Sequence, residues 1–502
     1  MANKACNEVV TAANMPMTVF DMISAMQNKY ADRVAFRYVE GKDTVVEKTY
    51  AQYVQDIRKV TGYLQQELGE PKGKKIVILS RTNYEYGAVV FGTMMAGAVI
   101  VTLNQGKTWA ELEHELGMME PDLIFNDGID YGYRAQLEAL YGARLRPMDA
   151  WTAAPEAEMV NRIDHEGLLM LMFTSGTTGR SKGVMLSEKN YFTACQMYID
   201  GQKDILDQEE RLAPQYLDQI FSHFTLVPMF HLAGFICYFV YGIQGWTLNL
   251  CCDARDLRRD MSLMHSDAMS TPPVLVEMIC NEVKRGHADR LNGLWNLSCS
   301  SAILDPAILS ELVKNGFYIN QCYSMTELAG YGLLNVTQEG DHLRALGKPD
   351  GFCEVKVDET GEICVRGGCV MLGYYKDPEA TAETIDKDGW LHTGDLARVD
   401  EEGYYYMTGR KKNLIILDSG ENVSPEELEK LLGKCDAIKE CIVKEMGKKI
   451  GTVVCCEDDK QQQVKAFVTE LNRTLPMYKR ISVVECSAEP LPRNALGKLL
   501  RK

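Results

Sequence analysis

The sequence has no excess of basic residues. Its 54 lysines and arginines are outnumbered by 70 aspartates and glutamates, which gives a net charge of −16 at neutral pH. Proteins that bind nucleic acid usually carry a basic footprint, so this composition argues against nucleic acid as the main partner. A small anionic ligand remains compatible with the sequence, because such a ligand needs only local positive charge.

Common metal-binding and redox motifs are also missing. The 16 cysteines are scattered and form no Cys-x-x-Cys, which argues against zinc ribbons and thioredoxin-like sites. The eight histidines are dispersed, and no His-x-x-x-His occurs. We therefore expect most cysteines to be reduced and buried, as in a cytoplasmic protein.

Long apolar segments are absent as well. Met1 to Pro16 shows no charged start followed by an apolar core, so no secretory signal is visible there. The one membrane-like run, Tyr86 to Leu103, is interrupted by three glycines and is barely long enough to cross a membrane. We predict instead a buried helix that ends near Gly97, followed by a strand from Ala98 to Leu103, and no transmembrane segment.

The regular alternation of helical and strand-like segments predicts an α/β fold. Short runs rich in valine, isoleucine and leucine occur at 76–79, 99–103, 123–125 and 168–173, with helical patterns between them. This rhythm is typical of largely parallel sheets. From about Gly347 the pattern changes to short strands with tight turns, which predicts a small β-rich subdomain at about 347–410.

A domain boundary is predicted after the polar segment 410–413. Ser424 can cap a helix, Pro425 suits its first turn and Glu427 completes a capping box. The residues from there to the C-terminus show the order helix, strand, strand, helix, strand. This order predicts a compact α+β unit of a size that can fold alone.

The most informative segment is residues 173–183, which read Phe-Thr-Ser-Gly-Thr-Thr-Gly-Arg-Ser-Lys-Gly. The apolar run before it, Leu168 to Phe173, predicts a buried strand. Glycines let backbone N–H groups and hydroxyls approach an anion, and Lys182 adds a positive charge, so the loop is suited to phosphate oxygens. It is not a Walker A loop, in which Gly-Lys is followed by Ser or Thr. A flexible surface loop is the alternative interpretation.

Two further segments carry candidate binding groups. Residues 321–327 read Gln-Cys-Tyr-Ser-Met-Thr-Glu, in which a hydroxyl beside a carboxylate could hold Mg²⁺ and an aromatic ring could stack on a base; a solvated loop is the alternative. Residues 389–396 read Gly-Trp-Leu-His-Thr-Gly-Asp-Leu. Asp395 could accept hydrogen bonds from both ribose hydroxyls, or it could simply belong to an Asx-turn.

Two basic segments complete the set. Arg410 follows Gly409 at the predicted boundary, and a guanidinium suits phosphate or ribose oxygens; an ordinary surface arginine is the alternative. Residues 490–500 read Pro-Leu-Pro-Arg-Asn-Ala-Leu-Gly-Lys-Leu-Leu, which either presents Lys498 from an ordered turn or forms a basic tail. Each segment is ambiguous alone, so the functional argument depends on their combination.

In this order, the five segments resemble the adenylate-forming (AMP-binding) superfamily, which includes acyl-CoA synthetases, aryl-CoA ligases, firefly luciferase and peptide-synthetase adenylation domains. The resemblance covers roughly residue 20 to the end of the chain. It implies an α/β fold with a large N-terminal domain of stacked mixed sheets with helices, residues 1–411, which includes the β-rich subdomain. A small mobile α+β C-terminal domain, residues 412–502, would follow, with its hinge at Lys412.

The resemblance also implies a set of ATP-binding residues. The loop from Thr174 to Lys182 would hold the β- and γ-phosphates, and Thr174 and Glu327 occupy positions that carry Mg²⁺ in relatives. The other implied nucleotide-binding positions are Ser175, Gly176, Thr177, Thr178 and Gly179 in the loop, Ser301, Ala302 and Tyr323 flanking adenine, Gln321 at its edge, Ser324 and Thr326 nearby, Asp395 on the ribose, and Arg410 on the ribose and phosphate.

Three implied roles belong to the C-terminal domain. Lys498 matches the lysine that contacts the substrate carboxylate and the α-phosphate during adenylation. Relatives then rotate the domain about the position of Lys412 between the two half-reactions. This rotation would bring Ser419 and Gly420 to the tunnel through which the thiol enters.

His231 matches a residue that lines the acyl pocket in CoA ligases. No acidic residue lies near it in the sequence to pair with a substrate ammonium, which favours an acid without an α-amino group. A buried structural histidine is the alternative. The apolar residues 235–239 could line a pocket for a fatty or aromatic acid, or they could belong to a core helix.

The resemblance therefore implies a cytoplasmic acyl-CoA synthetase for a fatty or aromatic acid, with ATP, Mg²⁺ and CoA, as a monomer or homodimer. A ligase that loads the phosphopantetheine of a carrier protein, or one that stops at the adenylate, is the alternative. A nucleotide-binding protein without catalysis is disfavoured because the residues for each catalytic role are present.

Overall fold

The computed structural model describes residues 10–174, 181–208, 221–300, 304–338, 340–417, 422–447, 449–493 and 499–500. The chain divides into two compact units. The first contains Met1–Glu354 and Val365–Leu391, and the second contains Val355–Cys364 and His392–Lys502. The hinge at Lys412 stays a prediction.

The first unit contains an eight-stranded sheet. Its inner neighbours are parallel, and the strand at each edge is antiparallel. In spatial order the strands are Gly332–Asn335, Tyr318–Ser324, Asn296–Ser300, Ala268–Thr271, Ser222–Thr225, Thr247–Leu250, Val34–Glu40 and Thr44–Thr49.

A seven-stranded sheet in the same unit contains the four strands that the sequence predicts most clearly. In spatial order it runs Gly373–Tyr374, Lys182–Leu186, Met170–Thr174, Val99–Thr102, Lys75–Leu79, Leu123–Asn126 and Leu145–Pro147. The last five strands pair in parallel, whereas the first two pair antiparallel with their neighbours. The sheets are thus mixed, and the predicted α/β class is confirmed.

Helices connect most of these strands, as expected for parallel pairing. In the first unit they are Val19–Asn28, Tyr50–Leu68, Tyr84–Met95, Trp109–Met119, Arg134–Tyr141, Glu188–Gln208, Leu232–Gln244, Leu257–Leu263, Pro273–Lys284, Pro306–Lys314 and Pro378–Thr384.

The membrane-like run forms a core helix and a strand, as predicted. Every residue of helix Tyr84–Met95 except Glu85 is buried. Gly92 lets the helix approach its neighbour closely, because a Cβ at this position would lie 2.4 Å from Val60. Across the parts of the chain that the structure describes, no helix has the length and apolar character needed to cross a membrane.

The second unit shows the element order predicted for the C-terminal residues. Helix Pro425–Leu432 begins after Ser424, whose hydroxyl accepts the Glu427 N–H at 3.4 Å. The other regular elements are a four-stranded sheet (Glu354–Val357, Glu362–Arg366, Leu391–Val399, Tyr405–Arg410), a two-stranded ribbon (Ile415–Ile416, Asn422–Val423), a three-stranded sheet (Glu440–Glu445, Ile450–Cys455, Val483–Ser487) and helix Gln461–Thr474.

Candidate active site

The two ends of the predicted phosphate loop lie side by side. Strands Met170–Thr174 and Lys182–Leu186 pair antiparallel, and their register places Thr174 opposite Lys182. Ser175, Gly176, Thr177, Thr178 and Gly179 lie outside the described residues. The two described ends of the loop, Thr174 with its hydroxyl and Lys182 with its ammonium, nevertheless lie next to each other at the ends of two paired strands.

Tyr374 connects Lys182 with Glu327. The Tyr374 hydroxyl donates to Glu327 Oε1 at 3.0 Å, and the Lys182 Nζ lies 4.6 Å from the centre of the Tyr374 ring. Burial, and next the negative charge of Glu327, raises the pKa of Tyr374, so the phenol keeps its proton and remains a donor. Lys182 and Glu327, distant in the sequence, therefore flank one buried tyrosine.

The backbone of Glu327 is held as well. Its carbonyl oxygen accepts the Met371 N–H at 2.9 Å, and the residue lies in the short 3₁₀ turn Thr326–Leu328. Ala329, which ends this turn, has a φ of 53°, a left-handed conformation that is uncommon for a residue with a Cβ. Glu327 is thus held through its backbone carbonyl by Met371 and through its carboxylate by Tyr374.

A buried ion pair lies next to the loop, and sequence reasoning missed it. Glu115 is fully buried and contacts the Lys107 ammonium, which also donates to Ser181 Oγ at 3.3 Å. An unpaired charge at the Glu115 position would be costly, so loss of Lys107 should destabilise the fold. No sequence signal could have found it, because charged residues on helix Trp109–Met119 usually face solvent.

Gln321 uses its side-chain amide to hold backbone segments together. Its Oε1 accepts the Leu304 N–H at 3.1 Å, and its Nε2 donates to the Leu343 carbonyl at 2.8 Å. Leu304 follows Ser301 and Ala302, which lie outside the described residues. Gln321 therefore positions the chain next to the two residues expected to flank adenine.

The remaining residues of this segment are partly accessible. Tyr323 and Ser324 end strand Tyr318–Ser324, Thr326 begins the following turn, and all three side chains are half-buried. Ser324 faces Gly332 across the sheet. The segment is thus a strand end and a tight turn, not the solvated loop of the alternative interpretation.

Asp395 and Arg410 form an ion pair in the second unit. They face each other on strands Leu391–Val399 and Tyr405–Arg410, and Arg410 Nε lies 3.0 Å from Asp395 Oδ1. The Asp395 N–H donates to Thr393 Oγ1 at 3.1 Å. Asp395 therefore lies within a strand and beside a cation. The two residues expected at the ribose are brought together.

Glu362 is a third residue of this group, and sequence reasoning did not select it. It is 2% exposed. One carboxylate oxygen accepts the Gly394 N–H at 2.7 Å, and the other accepts from Lys411 Nζ at 2.8 Å and lies 3.2 Å from His392 Nδ1. Gly394 precedes Asp395 and Lys411 follows Arg410. A buried glutamate therefore links the two strands that carry the Asp395–Arg410 pair.

Glu362 also belongs to a cluster of possible metal ligands. Single ligand atoms of Asp358, Glu362, Cys364 and His392 all lie within 4.8 Å of one another. Lys411 already supplies a positive charge to this group, and burial, with the nearby Asp358 charge, raises the pKa of the Cys364 thiol to about 12. We interpret the cluster as a hydrogen-bonded group that joins the strands on either side of Glu362.

His231 is an exposed helix cap. Its Nδ1 accepts the Ala233 N–H at 3.3 Å at the start of helix Leu232–Gln244, so the alternative of a buried structural histidine is wrong. The apolar residues that follow belong to a core helix: Phe235 and Phe239 are fully buried, and the Phe239 ring stacks on Tyr191 at 4.9 Å between ring centroids.

The other predicted residues of the C-terminal domain are only partly described. Lys412 is exposed in the 3₁₀ turn Lys411–Asn413. Ser419, Gly420 and Lys498 lie outside the described residues. The roles expected of these four residues stay predictions.

The fold defines the class of protein. The structure superposes on o-succinylbenzoate CoA synthetase from Bacillus subtilis, solved in complex with an acyl-adenylate intermediate, with a TM-score of 0.79, 23% sequence identity and 96% coverage of both chains. A fatty acyl CoA synthetase from Mycobacterium tuberculosis gives a TM-score of 0.72 at 21% identity and 97% coverage of both chains. The fold is thus that of the adenylate-forming enzymes.

The sequence comparisons specify the family. Residues 24–375 match the model of the AMP-binding enzyme family. The chain is 27% identical to the peroxisomal OPC-8:0-CoA ligase 1 of Arabidopsis thaliana, over 87% of this chain and 84% of that protein. It is 26% identical to the long-chain-fatty-acid–CoA ligase of Escherichia coli O157:H7, over 97% and 93%. The chain belongs to the AMP-binding enzyme family, in its acyl-CoA synthetase branch of acid–thiol ligases.

Proposed function

We propose that this protein joins a carboxylic acid to CoA with the consumption of ATP, through an acyl-adenylate, and releases AMP and pyrophosphate. The observation that carries the proposal is the convergence of Lys182 and Glu327 on Tyr374 in the first unit, with Thr174 opposite Lys182 in the strand register. Two motifs that are distant in the sequence, the phosphate loop and the segment that contains Glu327, therefore meet in one region of the fold.

The chain's own groups suit the first half-reaction. An anionic carboxylate must attack the α-phosphorus of ATP, so charge repulsion is part of the barrier. Lys182 would hold the phosphates that leave as pyrophosphate. Lys498, protonated at neutral pH because a lysine pKa is normally about 10.4, would offset charge where the carboxylate meets the α-phosphate.

The residues at the phosphate loop fit a hard divalent cation. Mg²⁺ prefers oxygen ligands such as carboxylates and hydroxyls, and Glu327 and Thr174 supply one of each. When bound, Mg²⁺ would neutralise phosphate charge. The B. subtilis o-succinylbenzoate CoA synthetase, which shares the fold with a TM-score of 0.76, has been solved with ATP and a magnesium ion.

We propose a fatty or aromatic acid without an α-amino group as the substrate. The relatives include ligases named for long-chain fatty acids and for OPC-8:0, and 4-coumarate–CoA ligase-like proteins. Residues Pro228 to Gly234 contain no acidic side chain that could pair with an ammonium. We further propose a role in fatty acid metabolism in the cytoplasm, which agrees with the absence of disulfides among the described cysteines.

The proposal is tested by a substrate screen. The full-length protein is incubated with ATP, Mg²⁺ and either CoA or a carrier protein, and with acetate, medium and long fatty acids, benzoates, cinnamates or dicarboxylates. Pyrophosphate, acyl-CoA and acylated carrier protein are measured. Acid-dependent formation of both products supports the proposal. Pyrophosphate release without acyl-CoA, or with acyl transfer only to a carrier protein, would instead identify the alternative ligase.

Lys498→Ala tests the assigned catalytic group. We expect ATP binding to stay nearly intact and adenylation to slow by roughly 10²–10³, the effect of losing one electrostatic stabiliser. ATP–pyrophosphate exchange measures this half-reaction. Lys502→Ala, in the same tail, is the control and should keep wild-type exchange; wild-type exchange in Lys498→Ala would show that the segment is only a basic tail.

A further inference from the structure

Two buried cysteines in the first unit lie within reach of each other. The Sγ atoms of Cys353 and Cys369 are 3.0 Å apart, and both residues are free thiols. Cys353 is 6% exposed and Cys369 is fully buried. Gly367, at a φ of 148°, leaves the space that this contact needs, because a Cβ there would lie 2.8 Å from Cys353 Sγ.

The two thiols differ in acidity. The hydrogen bond between the two sulfurs lowers the pKa of Cys353, whereas burial raises the pKa of Cys369. Thiolates, not thiols, react with oxidants, and a reactive cysteine beside a second thiol can pass from sulfenic acid to a disulfide. Cys353 is therefore the sulfur that reacts first, and Cys369 is placed to react second.

We propose that Cys353 and Cys369 are an oxidation site at which a peroxide forms an intramolecular disulfide. The Cys353 thiolate attacks a peroxide oxygen, the O–O bond breaks, and Cys353 becomes a sulfenic acid. The released oxygen takes up the proton that the Cys353 thiol gave up and leaves as water or an alcohol. The Cys369 sulfur then attacks Cys353, the S–O bond breaks, and water leaves with the Cys369 proton. The two thiols lose two electrons, which reduce the peroxide.

The disulfide would act on the backbone that supports Glu327. Closing a disulfide brings the sulfur atoms from 3.0 Å to about 2.05 Å, so Cys353 and Cys369 must move toward each other. The neighbouring Gly368 and Val370 carbonyls accept from Asn190 Nδ2, both at 2.8 Å, and the Met371 N–H binds the Glu327 carbonyl. Movement of Cys369 would therefore be transmitted to the Glu327 turn through Met371, and this consequence for activity rests on the proposed function.

Peptide mapping tests the covalent step. The full-length protein is treated with hydrogen peroxide, remaining thiols are alkylated, and the digest is analysed by mass spectrometry without reduction. We expect a cross-linked pair of peptides containing Cys353 and Cys369, lighter by two hydrogens and separated by dithiothreitol. Alkylation of both thiols after a treatment that oxidises other cysteines, or a link from Cys353 to another cysteine, would overturn the proposal.

Variants and activity complete the test. Cys353→Ser and Cys369→Ser should each lose the cross-linked peptides, whereas Cys280→Ser, at another buried cysteine, should retain them.

Peroxide should reduce pyrophosphate release by the wild-type protein, and dithiothreitol should restore it. Full activity of a completely cross-linked sample would refute the link to Glu327. If no acid supports turnover, the peptide map still decides the covalent step, and the failure then concerns the proposed function.

Discussion

Glu362 shows how one side chain can position two others. Its carboxylate is buried, binds the backbone next to Asp395 and pairs with Lys411 next to Arg410. A buried charge is strongly disfavoured when its hydrogen-bond partners are removed. The partners of Glu362 therefore hold the strands that carry Asp395 and Arg410 in one arrangement. Glu362 is thus a positioning residue, whereas Asp395 and Arg410 are the groups expected at the nucleotide.

Glu362→Gln tests this positioning role. Glutamine keeps an acceptor for Gly394 but loses the charge that pairs with Lys411, and a hydrogen bond to a charged group contributes about 1.5–3 kcal/mol. We expect the KM for ATP to rise by roughly tenfold or more, the equivalent of about 1.4 kcal/mol, with a smaller change in kcat. Steady-state kinetics with varied ATP measure both.

Glu354→Gln is the matched control for this prediction. Glu354 lies on the neighbouring strand and pairs with Arg366, but its side chain is 61% exposed. Exposed ion pairs contribute at most about 1 kcal/mol, so this variant should behave like the wild type. An equal rise in the KM for ATP in both variants would mean that Glu362 has no special role.

At the scale of elements, the strand pair Tyr318–Ser324 and Gly332–Asn335 determines the position of Tyr323 and Ser324. Gly332 lies opposite Ser324, and a Cβ at Gly332 would be 1.6 Å from the Tyr323 carbonyl oxygen. Only glycine permits this close approach of the two backbones. Gly332 on one strand therefore sets the position of Tyr323 and Ser324 on the other.

Gly332→Ala should separate the two strands. Overpacking of this kind costs about 1–3 kcal/mol, so we expect a lower melting temperature together with a higher KM for ATP. Calorimetry and kinetics measure the two effects.

Gly117→Ala is the control. Gly117 is exposed on a helix, and a Cβ added there would meet nothing within 4 Å. Alanine should stabilise this helix by roughly 0.5–1 kcal/mol. Unchanged KM and melting temperature in Gly332→Ala would contradict the strand argument.

At the scale of the whole molecule, a buried histidine makes stability depend on pH. His223 is 1% exposed. Its Nε2 accepts the Ser270 N–H at 3.2 Å, so its Nδ1 carries the proton and donates to the Tyr241 hydroxyl at 2.7 Å. Burial lowers its pKa to about 3, so the ring is neutral in the fold.

Acid should therefore destabilise the first unit. Between the unfolded pKa of about 6.5 and the folded pKa of about 3, the unfolded state binds a proton that the folded state does not, so stability falls as the pH falls. From pH 7 to pH 5 the His223 contribution should drop by about 2 kcal/mol. Urea unfolding at several pH values measures this change, and His223→Gln should remove that part of the pH dependence. An identical pH profile in the variant would exclude His223 as its source.

The predicted hinge belongs to the same scale. If the C-terminal domain rotates about Lys412 between half-reactions, a fixed φ at this residue should block one of them. We expect Lys412→Pro to impair thioester formation more than adenylation, and single-turnover assays of each step measure the difference. Lys412→Ala, which leaves the backbone free to rotate, should affect both steps little. Equal loss of the two half-reactions in the proline variant would argue against a hinge here.

Local patterns in the sequence were enough to predict most elements. The strands at 76–79 and 99–103, the helix after Ser424 and the order of elements in the last part of the chain all follow from periodicity, capping and turn residues, which act over a few positions. The candidate residues Thr174, Lys182, Glu327, Asp395 and Arg410 were found in the same way, because their motifs are contiguous.

Contacts between distant segments decided the rest. Tyr374 beside Glu327, Lys107 beside Glu115 and Glu362 beside Lys411 are pairs in which at least one partner carries no local signal. The close approach of Cys353 and Cys369 depends on the space that Gly367 leaves. The sequence by itself determined the elements and the family motifs, and hence the class of chemistry that we propose, since those depend on neighbours along the chain. Only the tertiary structure decided which side chains support that chemistry, because burial and pairing exist only once separate strands are packed together.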